Sequence, residues 1–188
     1  METVFLVAFG ASLMLVLGYL KNRYFDFFGQ TPSDYTDAGG EAFDLRTHLN
    51  GPIVCEGVIY GPTGRVTSRF VGDFDAEWSG NKGVMKERFV YDSGDEVLRE
   101  WNLTLGNDGR IRATASDVVG EGEGMQSGPT VQLKYKYKLP EGQGGHVLDT
   151  TDWMYLAPNG TIVNRSQFRK YGIKVAELVA TMRRKEAA

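Results

Sequence analysis

A single cysteine, Cys55, in 188 residues leaves no partner for an intrachain disulfide and excludes a multi-cysteine metal site. Two histidines, His48 and His146, cannot build a three-histidine zinc centre. No phosphate loop, no Gly-x-Ser-x-Gly elbow and no His-Glu-x-x-His pair occurs, so the local signatures of nucleotide, serine-hydrolase and zinc-protease chemistry are missing. No metal and no cofactor is implied. Positive charge is not in excess either: 21 Lys and Arg against 24 Asp and Glu give a net charge of −3 and a pI near 5.5. A chain that grips a phosphate backbone carries the opposite sign, so no nucleic-acid partner is expected.

Apolar residues are plentiful. They make up 41% of the chain and aromatics 12%, enough for a packed core. The 24 glycines follow no fixed period, which excludes collagen and predicts many tight turns. Val4–Leu20 carries no charge. At about 1.5 Å per residue it spans roughly 25 Å, near the lower limit for crossing a bilayer core of about 30 Å. Tyr19, Tyr24 and Phe25 extend it as an interfacial belt. A cleaved signal peptide fits less well, because Met1-Glu2-Thr3 has no basic residue and no small-x-small site follows the run. The expectation is a transmembrane anchor over residues 1–24, a linker over 25–42 and one domain over 43–188.

Within that domain, short segments alternate with turn signals. Ile53–Tyr60, Arg65–Asp75, Gly83–Tyr91, Val97–Leu105, Arg110–Val118, Thr130–Leu139, His146–Leu156 and Thr161–Arg169 are eight candidate strands. Val131, Leu133, Tyr135, Tyr137 and Leu139 fall on one face of the sixth, opposite Gln132, Lys134, Lys136 and Lys138. That is a strand with one dry and one wet side. The glycine cluster 120–128 is predicted as a long turn. Val175, Leu178, Val179 and Met182 stand at helical spacing, and Arg183, Arg184 and Lys185 suit a helix C-terminus, so a C-terminal amphipathic helix is predicted. The fold class is therefore mainly β: an eight-stranded antiparallel lipocalin/calycin-like barrel with a C-terminal helix, with a two-sheet sandwich as the alternative.

Polar residues on dry faces are the candidate site. Glu87 shares a face with Met85, Phe89 and Tyr91, and Arg99 shares one with Val97, Trp101 and Leu103. If the short turn pairs Phe89 with Arg99, Glu87 opposes Trp101 and reaches Arg99 diagonally. A buried pair of this kind either fixes register or forms a headgroup or acid site. Asp117 follows Ile111, Ala113 and Ala115 on a face of small residues, where it lines a cavity or caps a turn. In Asp152-Trp153-Met154-Tyr155 only one alternating pair can face inward. Asn164 shares a face with Ile162 and Phe168, with Arg165 opposite. The candidate ligand-binding set is Glu87, Arg99, Trp101, Asp117, Tyr135, Trp153 and Asn164, with Glu87 and Asp117 as candidate catalytic groups. Cys55, among Ile53, Val54 and Val58, reads as a buried structural thiol.

The pattern Glu87-x-Phe89-x-Tyr91, Arg99-x-Trp101, Asp117-Val-Val-Gly120, Asp152-Trp-Met-Tyr155, Asn164-Arg165 and Lys170-Tyr-Gly172 resembles an uncharacterised bacterial domain-of-unknown-function family of lipoproteins with a lipocalin-like barrel. Genes of such members often neighbour those of fatty-acid-modifying enzymes, so the resemblance implies lipid chemistry. The lipid-modified cysteine of a lipoprotein is missing here. The leading expectation is a membrane-anchored protein that binds an apolar or amphipathic lipid-type ligand. A metal-free lipid isomerase or cyclase, and an accessory subunit of a membrane protein complex, are the alternatives. Val4–Leu20 would place it as a single-pass protein of the bacterial inner membrane. Lys21 and Arg23 after the run, with Glu2 before it, favour a cytoplasmic domain, whereas the resemblance implies the periplasmic side.

Overall fold

The computed structural model of the chain describes residues 1–185. Residues 186–188, part of the expected domain, lie outside the described residues. Ten antiparallel strands follow one another as a meander: β1 (Gly51–Tyr60), β2 (Val66–Ser79), β3 (Lys82–Tyr91), β4 (Glu96–Leu105), β5 (Arg110–Thr114), β6 (Gly122–Ser127), β7 (Thr130–Lys138), β8 (Val147–Leu156), β9 (Ile162–Lys170) and β10 (Ile173–Arg184). Each pairs with the next, and β10 returns to β1 from Ile53↔Arg184 to Tyr60↔Glu177. Closure leaves no free edge.

Two corrections to the expected eight strands follow. The predicted C-terminal helix is β10. Its sequence carries both periods at once, because Leu178, Ala180 and Met182 also alternate. Those three line the interior, while Glu177 lies on the outer face bonded to Arg165 of β9 and to Lys174. Pairing on both sides, with β1 and β9, outweighs the helical option, which would leave two sheet edges open. The predicted long turn 120–128 contains β6. A Cβ on Gly124 would lie 2.3 Å from the Gln132 carbonyl oxygen and 3.1 Å from Leu133 Cδ1. The glycine is there because the neighbouring strand comes too close for any side chain.

The meander puts the odd-to-even connections (61–65, 92–95, 115–121, 139–146 and 171–172) at one end of the barrel, here called the mouth. The opposite end is closed. There Phe43, the short helix α2 (Leu45–His48; the longer α1 precedes it at Glu2–Tyr24) and Leu49 plug the barrel, each of Phe43, Leu45 and Leu49 being buried. The Trp78 indole N–H donates to the Leu49 carbonyl at 2.7 Å and ties the plug to β2.

Residues 26–43, within and just beyond the segment expected as a linker, lie along the outer wall. Phe27 packs under Arg165, Phe28 lies 3.6 Å from the Arg169 guanidinium carbon, and Tyr35 meets Trp153 edge-on. The Phe43 N–H then bonds the Gly128 carbonyl at the closed end. This strap covers Trp153 on the outside of β8, and the outward residues Thr130, Gln132 and Gln167 of the flanking strands are buried as well. α1 is apolar, and none of its stretch Glu2–Lys21 is buried; its length and composition suit a membrane span or a signal sequence.

Candidate functional site

The barrel interior is plugged at the closed end and hollow in the middle. A cavity of about 120 Å³ lies between Phe89, Phe168 and Leu178 on the mouth side and Leu45 and Leu49 on the plug side. Its lining is apolar apart from Cys55, the Tyr135 hydroxyl and one girdle at mid-depth, formed by Glu87, Arg99, Asp152, Asn164 and Ser166.

One half of the girdle is the β3–β4 hairpin. Its register is Glu87↔Arg99, with Phe89 opposite Val97 and Met85 opposite Trp101. The expected pairing of Phe89 with Arg99 is therefore two residues off. The loop is shorter than that register requires: the Tyr91 N–H bonds the Asp95 carbonyl, and Gly94 supplies the left-handed residue (φ 89°) of a three-residue hairpin loop. Glu87 and Arg99 are thus direct cross-strand neighbours, yet they do not form an ion pair. Arg99 Nε donates instead to Asp117 Oδ1 at 3.0 Å, and its guanidinium stacks 4.1 Å from the Trp101 ring centre, with Tyr135 and Tyr137 near it. Among the described residues, neither Arg99 Nη2 nor Glu87 Oε2, both buried, has a hydrogen-bond partner. Burial pushes the Glu87 carboxyl up to about 7. The Arg99 charge opposes this, and Asp152 and Asp117 add to it.

The other half lies across the barrel, on β8 and β9, five strands away in the ring of ten. Asp152 accepts from Ser166 Oγ at 2.7 Å and from Asn164 Nδ2, which also donates to the Trp153 carbonyl. Burial raises the Asp152 carboxyl above its usual range, and these two donors pull it back. The strand alternation is the cause: Asp152 and Met154 of β8 point inward, as do Asn164 and Ser166 of β9.

Of the expected ligand-binding residues, Glu87, Arg99, Trp101, Tyr135 and Asn164 line the cavity. Trp101 and Tyr135 meet edge-to-face at 5.2 Å. Asp117 does not line it; it lies beyond the end of β5 in the mouth connection and acts as the counter-ion of Arg99. Trp153 is a correction. It points outward, is fully buried beneath Tyr35, and touches no ligand space. Cys55 is buried against the cavity, and burial pushes its thiol up to about 12, which makes it a poor nucleophile. The candidate set omits Asp152 and Ser166. The Asn164-x-Ser166-x-Phe168 alternation carried Ser166, and Asp152 required knowing which face of β8 turns inward.

A family model described as "Protein of unknown function (DUF3833)" matches residues 25–184. No curated protein matches the sequence. Two solved structures share the architecture. One is the S-type phycobiliprotein lyase CPES from Guillardia theta: TM-score 0.56, 10% identity, covering 75% of this chain and 90% of that one. The other is Rv2717c from M. tuberculosis: TM-score 0.54, 14% identity, covering 78% of this chain and all of that one. These likenesses show that the closed antiparallel barrel is a fold this chain shares with both proteins.

Proposed function

This chain belongs to the DUF3833 family, and we propose that it is a membrane-anchored barrel that holds the oxygen-bearing end of a lipid-type ligand. One observation carries the reading. A donor, Arg99 Nη2, and a carboxyl oxygen, Glu87 Oε2, are buried without hydrogen-bond partners among the described residues, beside the same largely apolar cavity. Each unmet group costs about 1–3 kcal/mol. A ligand oxygen that accepts from Arg99 and from protonated Glu87 satisfies both. A carboxyl group or an ester carbonyl has that chemistry.

Volume sets the rest. The cavity, at about 120 Å³, is close to the roughly 150 Å³ of an engineered apolar cavity that takes up benzene. It accepts a chain end rather than a whole lipid, so the remainder of a longer chain extends towards the mouth. The phycobiliprotein lyase, by its name, acts on a pigment protein, and a barrel of this type offers an interior for a small molecule. α1 supplies the tether, through Val4–Leu20, that keeps the barrel beside its ligand source. The test is solvent extraction and mass spectrometry of the full chain purified in mild detergent. The expected result is one lipid class retained by wild type and depleted in Arg99→Leu. Protein free of lipid that also takes up no lipophilic probe overturns the proposal.

A second reading rests on Glu87 alone. A carboxyl poised near 7 beside a cavity is placed to act as general acid or base. Product analysis on lipid extracts separates binding from catalysis: wild type alters a lipid and Glu87→Gln binds it unchanged only if the chain is an enzyme.

A further inference from the structure

Exposed apolar side chains are distributed unevenly over the two ends of the barrel. At the mouth, each connection carries at least one beside or within it: Val66, Val97 with Leu98, Val119, Val147, and Tyr171 with Ile173. At the closed end none lies within the four connections, Gly80-Asn81, 106–109, Gly128-Pro129 and 157–161, and those flanking them, Val84 and Val163, are only 37% and 38% exposed. Packing does not account for the difference, because the mouth residues contribute nothing to the core.

The β9–β10 turn is the extreme case. Tyr171 is 90% exposed and Ile173 70% exposed. Tyr171 has φ 52°, a left-handed conformation that non-glycine residues adopt at some cost. It holds the ring away from the barrel with Lys170 Nζ 5.6 Å from its centre. This turn is also where the strap that follows the N-terminal helix meets the barrel. Arg169 packs on Phe28 and donates to the Gly172 carbonyl at 2.9 Å, which links the start of the strap to the hairpin. Four residues before Phe28 the apolar helix ends at Tyr24, and Phe25 is 86% exposed.

Charge selects the same edge. Lys21, Arg23 and Lys170 are cationic groups there, and Lys174 is held by Glu177. Across the ring, the β3–β4 loop is acidic: Asp92 pairs with Arg69 and Glu96 with Arg88, while Asp95 adds a further carboxylate. Exposed aromatic and aliphatic tips flanked by lysine and arginine are the composition of a membrane-interface contact.

We propose that the β9–β10 turn, through Tyr171 and Ile173, inserts into the headgroup layer beside the end of α1, so that the mouth of the barrel opens on the bilayer surface. This rests on the anchored, lipid-binding reading above and adds a route: the ligand passes between membrane and cavity without crossing water. The mouth leads to the girdle past Phe89 and Phe168, both of which line the cavity. An acidic β3–β4 loop on the far side tilts that edge away from an anionic surface.

The experiment uses the full chain with Cys55→Ala, reconstituted into vesicles of phosphatidylethanolamine and phosphatidylglycerol that contain nitroxide-labelled lipid. Single cysteines at Tyr171→Cys, Ile173→Cys, Leu98→Cys, Asn107→Cys and Asn159→Cys carry a bimane fluorophore. Quenching several-fold greater at 171 and 173 than at 107 and 159, with 98 between, is the expected result. Equal quenching at the two ends, or stronger quenching at 107 and 159, overturns the docking. Lipid extraction from the same wild-type protein keeps the two ideas apart. Retained lipid without quenching at 171 and 173 defeats the docking alone, whereas quenching without retained lipid defeats the ligand reading.

Discussion

Replacing Glu87 by Gln removes one titrating group and almost nothing else, since the two side chains have nearly the same shape. Glu87 is buried, and its carboxyl lies near 7 in the folded chain against an ordinary value of 4.5. The folded state therefore holds a proton that the unfolded state has released between these two values. Stability must fall as pH rises through that window and level off above it. Displacement by about 2.5 pH units at about 1.36 kcal/mol per unit predicts a loss of roughly 3 kcal/mol between pH 4 and pH 8. Urea unfolding of detergent-solubilised wild type and Glu87→Gln, followed by tryptophan fluorescence across that range, measures it. Subtracting one curve from the other cancels groups common to both, such as Asp152 to first order. The difference should grow in favour of Gln as pH rises, reaching about 3 kcal/mol. Parallel curves would show that Glu87 is hydrated or ion-paired, and the argument for a neutral donor in the cavity would fail.

Further outcomes follow from the same geometry. If protonated Glu87 donates to the ligand, affinity for a fatty acid or ester falls as pH rises through about 7 in wild type and is flat in Glu87→Gln; a pH-independent wild type contradicts this. Arg99→Leu removes a charged donor worth about 1.5–3 kcal/mol, so binding weakens roughly 10- to 150-fold in a fluorescent-ligand titration. Gly124→Ala forces a methyl onto the Gln132 carbonyl and should destabilise by at least about 1–3 kcal/mol in chemical denaturation. Trp153→Ala opens a void under the strap and should cost about 3–5 kcal/mol. Trp153→Phe, which removes an indole N–H that has no partner, should cost far less.

The sequence announced the barrel through alternation, most plainly in β7, where lysines and tyrosines take opposite faces. It also brought Glu87, Arg99, Trp101, Tyr135 and Asn164 to the interior, because each shares a face with several apolar residues. It concealed β6 behind Gly120–Gly128, where glycine marks close strand contact as well as turning. It concealed β10 behind an apolar spacing that satisfies helix and strand alike; only barrel closure decides between them. Trp153 misled for a further reason. A large aromatic beside an acid looks like a ligand platform, and nothing in its own strand shows that residues 26–43 cover the outer wall. The strap hides its signal in the Phe27, Phe28, Gln30 and Tyr35 side chains, whose partners lie more than a hundred residues away. Tyr155, for example, donates to Gln30 Oε1 across 125 residues of sequence.

The account turns on whether a ligand end reaches the girdle. Trp101 lines the cavity, whereas Trp78 sits at the plug and Trp153 lies outside. In the full chain carrying Trp78→Phe and Trp153→Phe, Trp101 is the sole emitter. Titration with a fatty acid brominated near its carboxyl end is the direct measurement. Saturable quenching of Trp101, weakened by Arg99→Leu, is the predicted result. Emission that stays constant at every concentration, in a protein whose far-UV circular dichroism matches wild type, contradicts it.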